Sequence, residues 1–224
     1  VAFPELPAPG AMSGAAPAPP KASVGAAGVA LDTSYACAVD RQGNVFSSTP
    51  SDVAHDTPVI PGTGLSVSSR GAQSWAVAGH ASAVAPGKRP RLTPNPALAL
   101  GPEGLQMPFG TPGGDVQSQA MLQVFLNHRV FGMDIQQAVE APRFASLSFP
   151  NSFEPHAYLP GRLQIEGRIP EATADDLAGR GHDVAMWEDW TWLAGSMCAI
   201  VKDRRSGFFS AGADPRRPSY ALGW

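Results

Sequence analysis

The chain changes character abruptly at residue 33. Residues 1–31 contain six prolines, ten alanines and four glycines, a composition that buries little and resists helix formation. Residues 33–40 then show the pattern of a β-strand, and residues 43–49 that of a second strand across a short turn, which together predict a β-hairpin. We therefore interpret residues 1–32 as a linker or extended tail, and we expect the folded part to begin at Thr33.

Thr33 stands at the head of the first predicted strand. A β-branched hydroxyl residue at this place is typical of a nucleophile that becomes an N-terminus when the chain is cut. Cleavage between Asp32 and Thr33 would leave Thr33 with a free α-amine, whose ordinary pKa of about 7.7–8.0 suits a general base. Ser51 follows the second strand, where the hairpin can return its hydroxyl close to Thr33. The five histidines are scattered and form no Ser–His–Asp arrangement in the sequence.

A glycine pair marks a second candidate element of the site. Gly113 and Gly114 lie between a strand that ends near Phe109 and a helix predicted over about residues 117–131. Successive glycines let backbone N–H groups converge, and the helix N-terminus adds a positive dipole. A phosphate site is disfavoured because no Gly-Lys-Ser/Thr follows and Asp115 comes next. An oxyanion hole for acyl transfer fits the pair, and a plain strand–helix turn is the simpler alternative.

The remaining pattern predicts an α+β protein. Strands gather at both ends of the chain and helices in the middle, which favours a layered sandwich over a βαβ alternation. Arg216 and Arg217 are expected on a surface or at an interface, and the tryptophans of residues 187–192 are expected to pack. The further predicted elements are a strand over 97–100, a helix over 134–140 capped by Asp134, a strand over 163–166, a helix over 170–180, and strands over 196–202 and 207–212.

Composition excludes several classes of partner. The net charge of −3 provides no basic surface for nucleic acid, and no apolar run approaches the length that spans a membrane. Cys37 and Cys198 are far apart in the sequence and belong to no metal-binding motif, so we expect two reduced core thiols and no metal. Nothing at the chain start resembles a signal peptide, so the sequence leaves a cytoplasmic and a periplasmic location equally open.

Several stretches between residue 32 and the C-terminal region form a recognisable series. They are, in chain order, DTSYACAVDRQGNV, IPGTGLSVSSRG, APGKRPRLTPNPAL, FGTPGGD, QVFLNHRVFGMDIQQAVEAPRF, RGHDV and SAGADPRR. Together they resemble the small subunit of gamma-glutamyltransferases, which belong to the N-terminal-nucleophile hydrolases. The resemblance implies a four-layer αββα sandwich and a precursor that cuts itself before a nucleophilic threonine, leaving a large and a small subunit. Residues 33–224 would then be the catalytic small subunit, and residues 1–32 the end of the large one, which would also carry any signal peptide.

The resemblance also assigns roles at matching positions. Thr33 matches the nucleophilic threonine, and Ser51 falls where the family has a second threonine that orients it. Gly113 and Gly114 match the glycines whose amides hold the oxyanion. The positions that bind substrate depart from true gamma-glutamyltransferases, however, and this departure bears on the substrate.

Where the family places an aspartate that clamps the substrate's α-ammonium group, this chain has Gln73. Nearby, Arg70 replaces a polar residue of the family. The two serines that hold the α-carboxylate are replaced by Leu92 and Thr93. A neutral amide cannot offset a buried ammonium, whereas an arginine can hold a carboxylate through two hydrogen bonds. The pattern is closer to the amidohydrolase branch, with its oxamate amidohydrolase-like and acylase-like members, and predicts a small or anionic acyl group without an α-amine.

The sequence therefore predicts an amidohydrolase that forms an acyl-enzyme on Thr33 and uses no metal or organic cofactor. The expected partners are the large subunit of the same precursor and a small-molecule amide, and a dimer of heterodimers is among the expected assemblies. Two alternatives stay open at this point. One is a genuine gamma-glutamyltransferase or glutathione hydrolase, and the other is an unprocessed, inactive homologue with a binding or structural role.

Overall fold

The structure is a computed structural model that describes residues 33–52, 57–203 and 206–224. The predicted tail, including Asp32, lies outside the described residues. In chain order the strands and helices are β1 (Ala36–Val39), β2 (Val45–Ser48), β3 (Ala97–Leu100), β4 (Gln106–Gly110), α1 (Gln117–Arg129), α2 (Ile135–Glu140), β5 (Phe144–Ser146), β6 (Arg162–Glu166), α3 (Glu171–Gly179), β7 (Asp183–Trp187), β8 (Cys198–Lys202) and β9 (Phe209–Ala213).

The predicted hairpin is confirmed. Strands β1 and β2 pair antiparallel, with Ala36 opposite Ser48. The Asp40 carboxylate closes the turn by accepting hydrogen bonds from the backbone and side-chain amides of Asn44, at 2.8 and 2.7 Å. Gly43 adopts φ +88°, a conformation that favours glycine. The hairpin thus brings the chain after β2 back to the start of β1.

The central sheet has the strand order β3-β4-β8-β9, with all neighbours antiparallel. Successive side chains of β4 point to opposite faces. Met107 and Phe109 belong to the main core with residues of α1 and α2. On the other face, the ring of Tyr35 lies against Gly110 and leaves no room for a Cβ there. The sheet therefore carries helices on one face and the hairpin on the other.

The main core lies between the helices and the central sheet. Asp134 caps α2 as predicted, since its side chain accepts from the backbone N–H of Gln137 at 2.8 Å while the Gln137 amide oxygen accepts from the Asp134 N–H. Such a cap contributes about 0.5–2 kcal/mol. The buried members of this core are Met107, Phe109, Ala120, Met121, Val124, Ile135, Ala138, Val139, Met197, Ala199 and Val201.

A second, smaller sheet was not fully anticipated. Strand β6 pairs parallel with β7, and α3 connects them, so the fold contains one βαβ unit where the sequence predicted none. Strand β5 adds to the other edge of β6 in antiparallel fashion. The short β5 and the half-exposed β7 gave little alternation of hydrophobicity to recognise. This unit has its own core of Leu163, Ile165 and Ala174.

The α+β class is confirmed. Three layers are present in the described part of the chain, namely the helices α1 and α2, the central sheet and the hairpin. Phe46, on the outer face of the hairpin, is 57% exposed. The fourth layer of the expected sandwich stays a prediction. Among the described residues, no helix is long and apolar enough to cross a membrane.

Candidate active site

Thr33 and Ser51 meet beside the start of β1. The backbone N–H of Ser34 donates to the carbonyl of Pro50 at 3.0 Å, which holds the segment after β2 against the residues just before β1. Thr33 Oγ1 and Ser51 Oγ then lie 2.5 Å apart, within hydrogen-bond distance. Thr33 is only 6% exposed. Two hydroxyls separated by 18 positions are thus brought together, where the sequence placed them.

A cavity of about 350 Å³ opens at Thr33. Its walls come from the start of β1, from the loop that precedes α1, from the start of β8 and from the C-terminal segment. The residue of the loop is Pro112, directly before the glycine pair, so the glycine loop adjoins the nucleophile's cavity. The lining residues are Thr33, Ser34, Tyr35, Pro112, Ser196, Cys198, Arg217, Pro218 and Ser219.

Both glycines of the pair need conformations that other residues avoid. Gly113 has φ +132° and Gly114 has φ +56°. They lead into a single 3₁₀ turn, Gly114–Val116, that runs directly into α1. Within the described part of the chain, the N–H groups of the two glycines donate to no protein acceptor. Two unpaired amides at a helix start are the arrangement that an oxyanion hole requires.

A segment that the sequence did not single out supports the glycine loop. Thr111 is fully buried, and its hydroxyl donates to the carbonyl of Pro112 at 2.6 Å while accepting from the N–H of Ser196 at 2.7 Å. A Cβ on Gly113 would lie 3.5 Å from the Cα of Gly195. Gly195 itself has φ +86°, and a Cβ there would meet the Thr111 hydroxyl at 2.7 Å. The sequence feature that could have identified this segment is the pair Gly195-Ser196, which follows a tryptophan-rich turn.

Arg70 lies next to the nucleophile pair. Its Nε donates to the Ser51 carbonyl at 3.1 Å, and its Nη2 contacts Ser51 Oγ. The guanidinium also stacks over the ring of Phe153, 5.6 Å from the centroid. Arg70 lies in the 3₁₀ helix Ser69–Gln73, which is capped by the hydroxyl of Ser68. The structure therefore connects Arg70 to Thr33 through one intervening hydroxyl.

Gln73 and Thr93, two of the residues predicted to bind substrate, form a second polar contact. Gln73 is fully buried, and its amide nitrogen donates to Thr93 Oγ1 at 3.2 Å. Gln73 Oε1 and Arg70 Nη1 are both buried and have no hydrogen-bond partner among the described residues. One unpaired acceptor and one unpaired donor are thus left at the residues that the sequence assigned to substrate. Leu92, in contrast, is half exposed.

A larger cavity of about 470 Å³ lies on the far side of the glycine loop. Gly114 and Thr93 both line it, which places it next to the oxyanion and substrate candidates. The Gln117 amide, with its nitrogen turned inward, donates to the carbonyls of Thr93 and Thr111 at 3.1 and 3.2 Å. Gln117 therefore fixes the substrate segment to the glycine loop.

Arg216 is buried, which corrects the expectation of a surface pair. Its guanidinium donates to both carboxylate oxygens of Glu166, at 2.6 and 2.5 Å, and to Asp214 at 3.1 Å. Arg143, also buried, pairs with Asp214, and its backbone N–H donates to the Glu166 carboxylate at 2.8 Å. Arg217, the next residue, lines the cavity of Thr33 and stacks over Trp192 at 5.6 Å.

Burial holds three weakly acidic side chains, those of Tyr35, Cys37 and Cys198, in their neutral forms. Burial raises the pKa of Tyr35, whose hydroxyl lies 2.8 Å from Ser47 Oγ. Burial also raises the pKa of Cys37 to about 11 and raises the pKa of Cys198. Both thiols are free and only half buried, rather than in the core as expected. Since neither thiol ionises near neutral pH, neither competes with Thr33 as a nucleophile.

No group of three or more potential metal-ligating histidine, cysteine, aspartate or glutamate side chains occurs in residues 33–52, 57–203 and 206–224. The described site consists of hydroxyls, amides and guanidinium groups. Such groups suit the recognition of anions and carbonyl oxygens.

Known proteins are similar to this chain in sequence and in fold. The oxamate amidohydrolase proenzyme of Klebsiella pneumoniae is 32% identical over 197 residues, 86% of this chain and 36% of that protein. The glutathione hydrolase-like YwrD proenzyme of Bacillus subtilis is 31% identical over 198 residues, 87% of this chain and 36% of that protein. The chain therefore spans about a third of the length of these curated relatives.

Solved structures agree with this result. The structure of LmbA2991HD superposes with a TM-score of 0.77 at 37% identity, over 85% of this chain and 34% of that one. The gamma-glutamyltranspeptidase from Pseudomonas nitroreducens shares the fold, with a TM-score of 0.66 at 20% identity over 85% of this chain and 98% of that one. The family described as Gamma-glutamyltranspeptidase matches residues 11–224. The chain belongs to the gamma-glutamyltranspeptidase family.

Proposed function

We propose that this chain is the catalytic part of an amidohydrolase in which Thr33 is the nucleophile. The observation that carries the proposal is the 2.5 Å contact between Thr33 Oγ1 and Ser51 Oγ, at a cavity that the glycine loop adjoins. Residues 33–224 would be the small subunit, and residues 1–32 the end of a large subunit from the same precursor. Cleavage between Asp32 and Thr33 would release the α-amine of Thr33.

The reaction then needs only groups of this chain. Thr33 Oγ attacks the carbonyl carbon of the amide and forms a C–O bond, while its hydroxyl proton passes to the Thr33 amine. The carbonyl electrons move to the oxygen, where the N–H groups of Gly113 and Gly114 donate to the developing oxyanion. Collapse breaks the C–N bond, and the leaving nitrogen takes the proton from the Thr33 ammonium. Water then attacks the ester carbonyl and gives a proton to the same amine. The bond between the acyl carbon and Thr33 Oγ breaks, Thr33 Oγ takes that proton, and the acyl group leaves as an acid that ionises to a carboxylate.

The substrate side favours an anionic acyl group without an α-amine. Arg70 Nη1 is a buried donor with no partner in the described chain, and a substrate carboxylate would accept from it. Gln73 Oε1 is a buried acceptor, which can receive an N–H but cannot neutralise an ammonium. The oxamate amidohydrolase among the relatives is named for a substrate of this kind, a short amide that carries a carboxylate.

The glutathione hydrolases among the relatives support a second candidate, a gamma-glutamyl substrate. Gln73 offers no charge to its α-ammonium group, so another residue would have to supply the carboxylate. Initial rates on oxamate and on γ-glutamyl-p-nitroanilide, measured with the complete protein, separate the two. We expect kcat/KM to favour oxamate, and efficient γ-glutamyl turnover would overturn the argument from Gln73.

Processing is tested separately by intact mass. We expect the mature protein to contain a chain that begins at Thr33, and we expect Thr33→Ala to remain uncut and inactive. A protein that stays full length and inactive after long incubation would instead support the alternative of a structural homologue. The large subunit is proposed as an obligate partner, and the exposed Phe46 on the outer face of the hairpin fits such a cover. A dimer of these heterodimers stays a prediction.

A further inference from the structure

We propose that Arg70 is a positioning residue that acts on the nucleophile through Ser51, in addition to facing the substrate. The proposal rests on the proposed role of Thr33. It assigns two edges of one guanidinium to two tasks. The edge with Nε and Nη2 is engaged with Ser51, whereas Nη1 is left for a ligand.

Arg70 is held rigidly enough for this task. Its backbone N–H donates to Ser68 Oγ at 3.2 Å, and its guanidinium lies over the ring of Phe153. The segment of Phe153 is itself fixed to the Arg70 segment, because the N–H of Glu154 donates to the carbonyl of Ala72 at 2.8 Å. The guanidinium is therefore preorganised before any substrate binds.

Arg70 determines the direction of the hydrogen bond between Ser51 and Thr33. A guanidinium can only donate, so Ser51 Oγ accepts from Arg70. Ser51 has one hydroxyl proton, and Thr33 Oγ1 is its only other partner in the described part of the chain. Ser51 is partly buried, and a hydroxyl shielded from water is more stable when its proton has an acceptor, which favours donation from Ser51 to Thr33. The proton of Thr33 is then free to point elsewhere, toward the amine on the same residue.

The charge of Arg70 favours the same step. A cation two hydrogen bonds away stabilises a developing negative charge on Thr33 Oγ and disfavours the ammonium form of the Thr33 amine. Arg217 adds a second cation, with Nη1 3.5 Å from the Thr33 carbonyl. Tyr35 and Cys198 line the cavity in neutral forms, because burial raises the pKa of both.

One carboxylate lies near this arrangement, and it is turned toward another partner. Asp52 follows Ser51 in the sequence and accepts from Ser68 Oγ at 2.8 Å. In the described chain, the charged groups in contact with Thr33 or with its hydroxyl partner Ser51 are the cations Arg217 and Arg70. They favour the free form of the Thr33 amine, which accepts the proton, over its ammonium form.

The test compares Arg70→Met, Arg70→Lys, Ser51→Ala and the Ser51→Ala/Arg70→Met double variant in the complete protein. The probe is p-nitrophenyl acetate, which has no carboxylate for Arg70 to bind, and the readout is the pH profile of the acylation burst. For Arg70→Met we expect the acidic limb to move up by about one pH unit and the plateau to fall about tenfold. Arg70→Lys should keep the limb near its original pH and lower only the plateau.

The double variant tests whether the effect passes through Ser51. We expect Arg70→Met to change the plateau much less when Ser51 is already alanine, since the two residues act as one unit. Additive losses with an unshifted limb, together with a higher KM for oxamate alone, would overturn the proposal and leave Arg70 as a substrate ligand only. Where Arg70→Met is not processed, as judged by intact mass, Arg70→Lys decides, and an unchanged plateau overturns the proposal.

Failure of the nucleophile assignment has a different signature. The acetyl group trapped from p-nitrophenyl acetate is located by peptide mass mapping. An adduct on a residue other than Thr33, or an undiminished burst in Thr33→Ala, would refute the proposed function. A normal Thr33 adduct with an unshifted pH limb in Arg70→Met would refute only the role of Arg70.

Discussion

Two arginine groups in this molecule differ in how far their polar atoms are paired. Around Arg216, every guanidinium nitrogen donates to a protein oxygen, either of the Glu166 and Asp214 carboxylates or of a backbone carbonyl. In the neighbouring Arg143, only Nε has no partner in the described chain. Around Arg70, Nη1 has no partner in the described chain, and neither does Oε1 of the nearby Gln73. We refer to Arg143, Glu166, Asp214 and Arg216 as the closed cluster, and to Arg70, Gln73 and Thr93 as the open cluster.

The difference distinguishes a group that supports the fold from one that can bind a ligand. The closed cluster joins the end of α2, the end of β6 and the start of β8, because Arg216 reaches the carbonyls of Val139 and Ala141 while Asp214 accepts from the N–H of Met197 at 2.8 Å. It therefore fixes the segment that continues into the wall of the Thr33 cavity. In the open cluster, fewer of the polar atoms are hydrogen-bonded to the protein. An unpaired buried group is stabilised when a ligand supplies the missing partner.

The largest expected effect comes from breaking the closed cluster. Arg216→Met leaves Glu166 and Asp214 with less compensation in the interior, and removing one partner of a buried pair typically costs about 3–5 kcal/mol. We expect urea unfolding to show this loss of stability. Arg180→Met, at the exposed pair with Asp176, is the matched control and should change the free energy of unfolding by less than about 0.5 kcal/mol. Equal effects at the two sites would contradict the distinction.

The next effect should appear in activity rather than stability. Gly113→Ala forces a side chain onto φ +132° and displaces the N–H that we assign to the oxyanion. We expect kcat to fall about a hundred- to a thousandfold, the usual effect of losing one such donor. Gly207→Ala, at φ +73° with open space around it, controls for backbone strain alone. An unchanged kcat in Gly113→Ala would exclude this amide from the mechanism.

The sequence predicted the open cluster better than the closed one. Thr33, Ser51, Arg70, Gln73 and Thr93 lie in local motifs, and the structure brings them into contact in two groups. In the closed cluster, Arg143 and its partner Asp214 lie 71 positions apart, and charged residues are rarely fully buried, so the sequence alone favoured a surface position. Its partners are determined by tertiary packing, which a linear pattern does not show.

The same limit applies to the fold. The long, periodic helix α1 and the hairpin with its turn residues were predicted close to their observed bounds. Strand β5 is short and β7 is half exposed, so neither has a clear hydrophobic pattern. Both are strands because they pair with β6. The βαβ unit was therefore missed, although α3 within it was predicted from its own start and stop signals.

A smaller effect should follow from altering the open cluster's charge. Gln73→Glu places a carboxylate beside Arg70 and Thr93, where it can occupy the unpaired guanidinium nitrogen. We expect kcat/KM on oxamate to fall about tenfold, mainly through a higher KM, because the substrate carboxylate loses its donor. Relative activity on γ-glutamyl-p-nitroanilide should rise, since the new carboxylate can pair with an ammonium. A lower kcat with unchanged KM would instead place Gln73 outside the binding step.

The smallest effect concerns the half-buried thiol of Cys37, whose pKa shift has no cation among its causes. Burial raises the pKa of the Cys37 thiol to about 11, above the value of about 8.5 expected in the unfolded chain. Because the unfolded state ionises first, it is favoured as pH rises, and stability that is present below about pH 8.5 is lost progressively up to about pH 11. Urea midpoints measured across this range should fall, and Cys37→Ala should reduce the fall. If the urea midpoint of Cys37→Ala falls as much as that of the parent protein, other groups cause the fall. The comparison between paired and unpaired groups would then rest on the two arginine clusters alone.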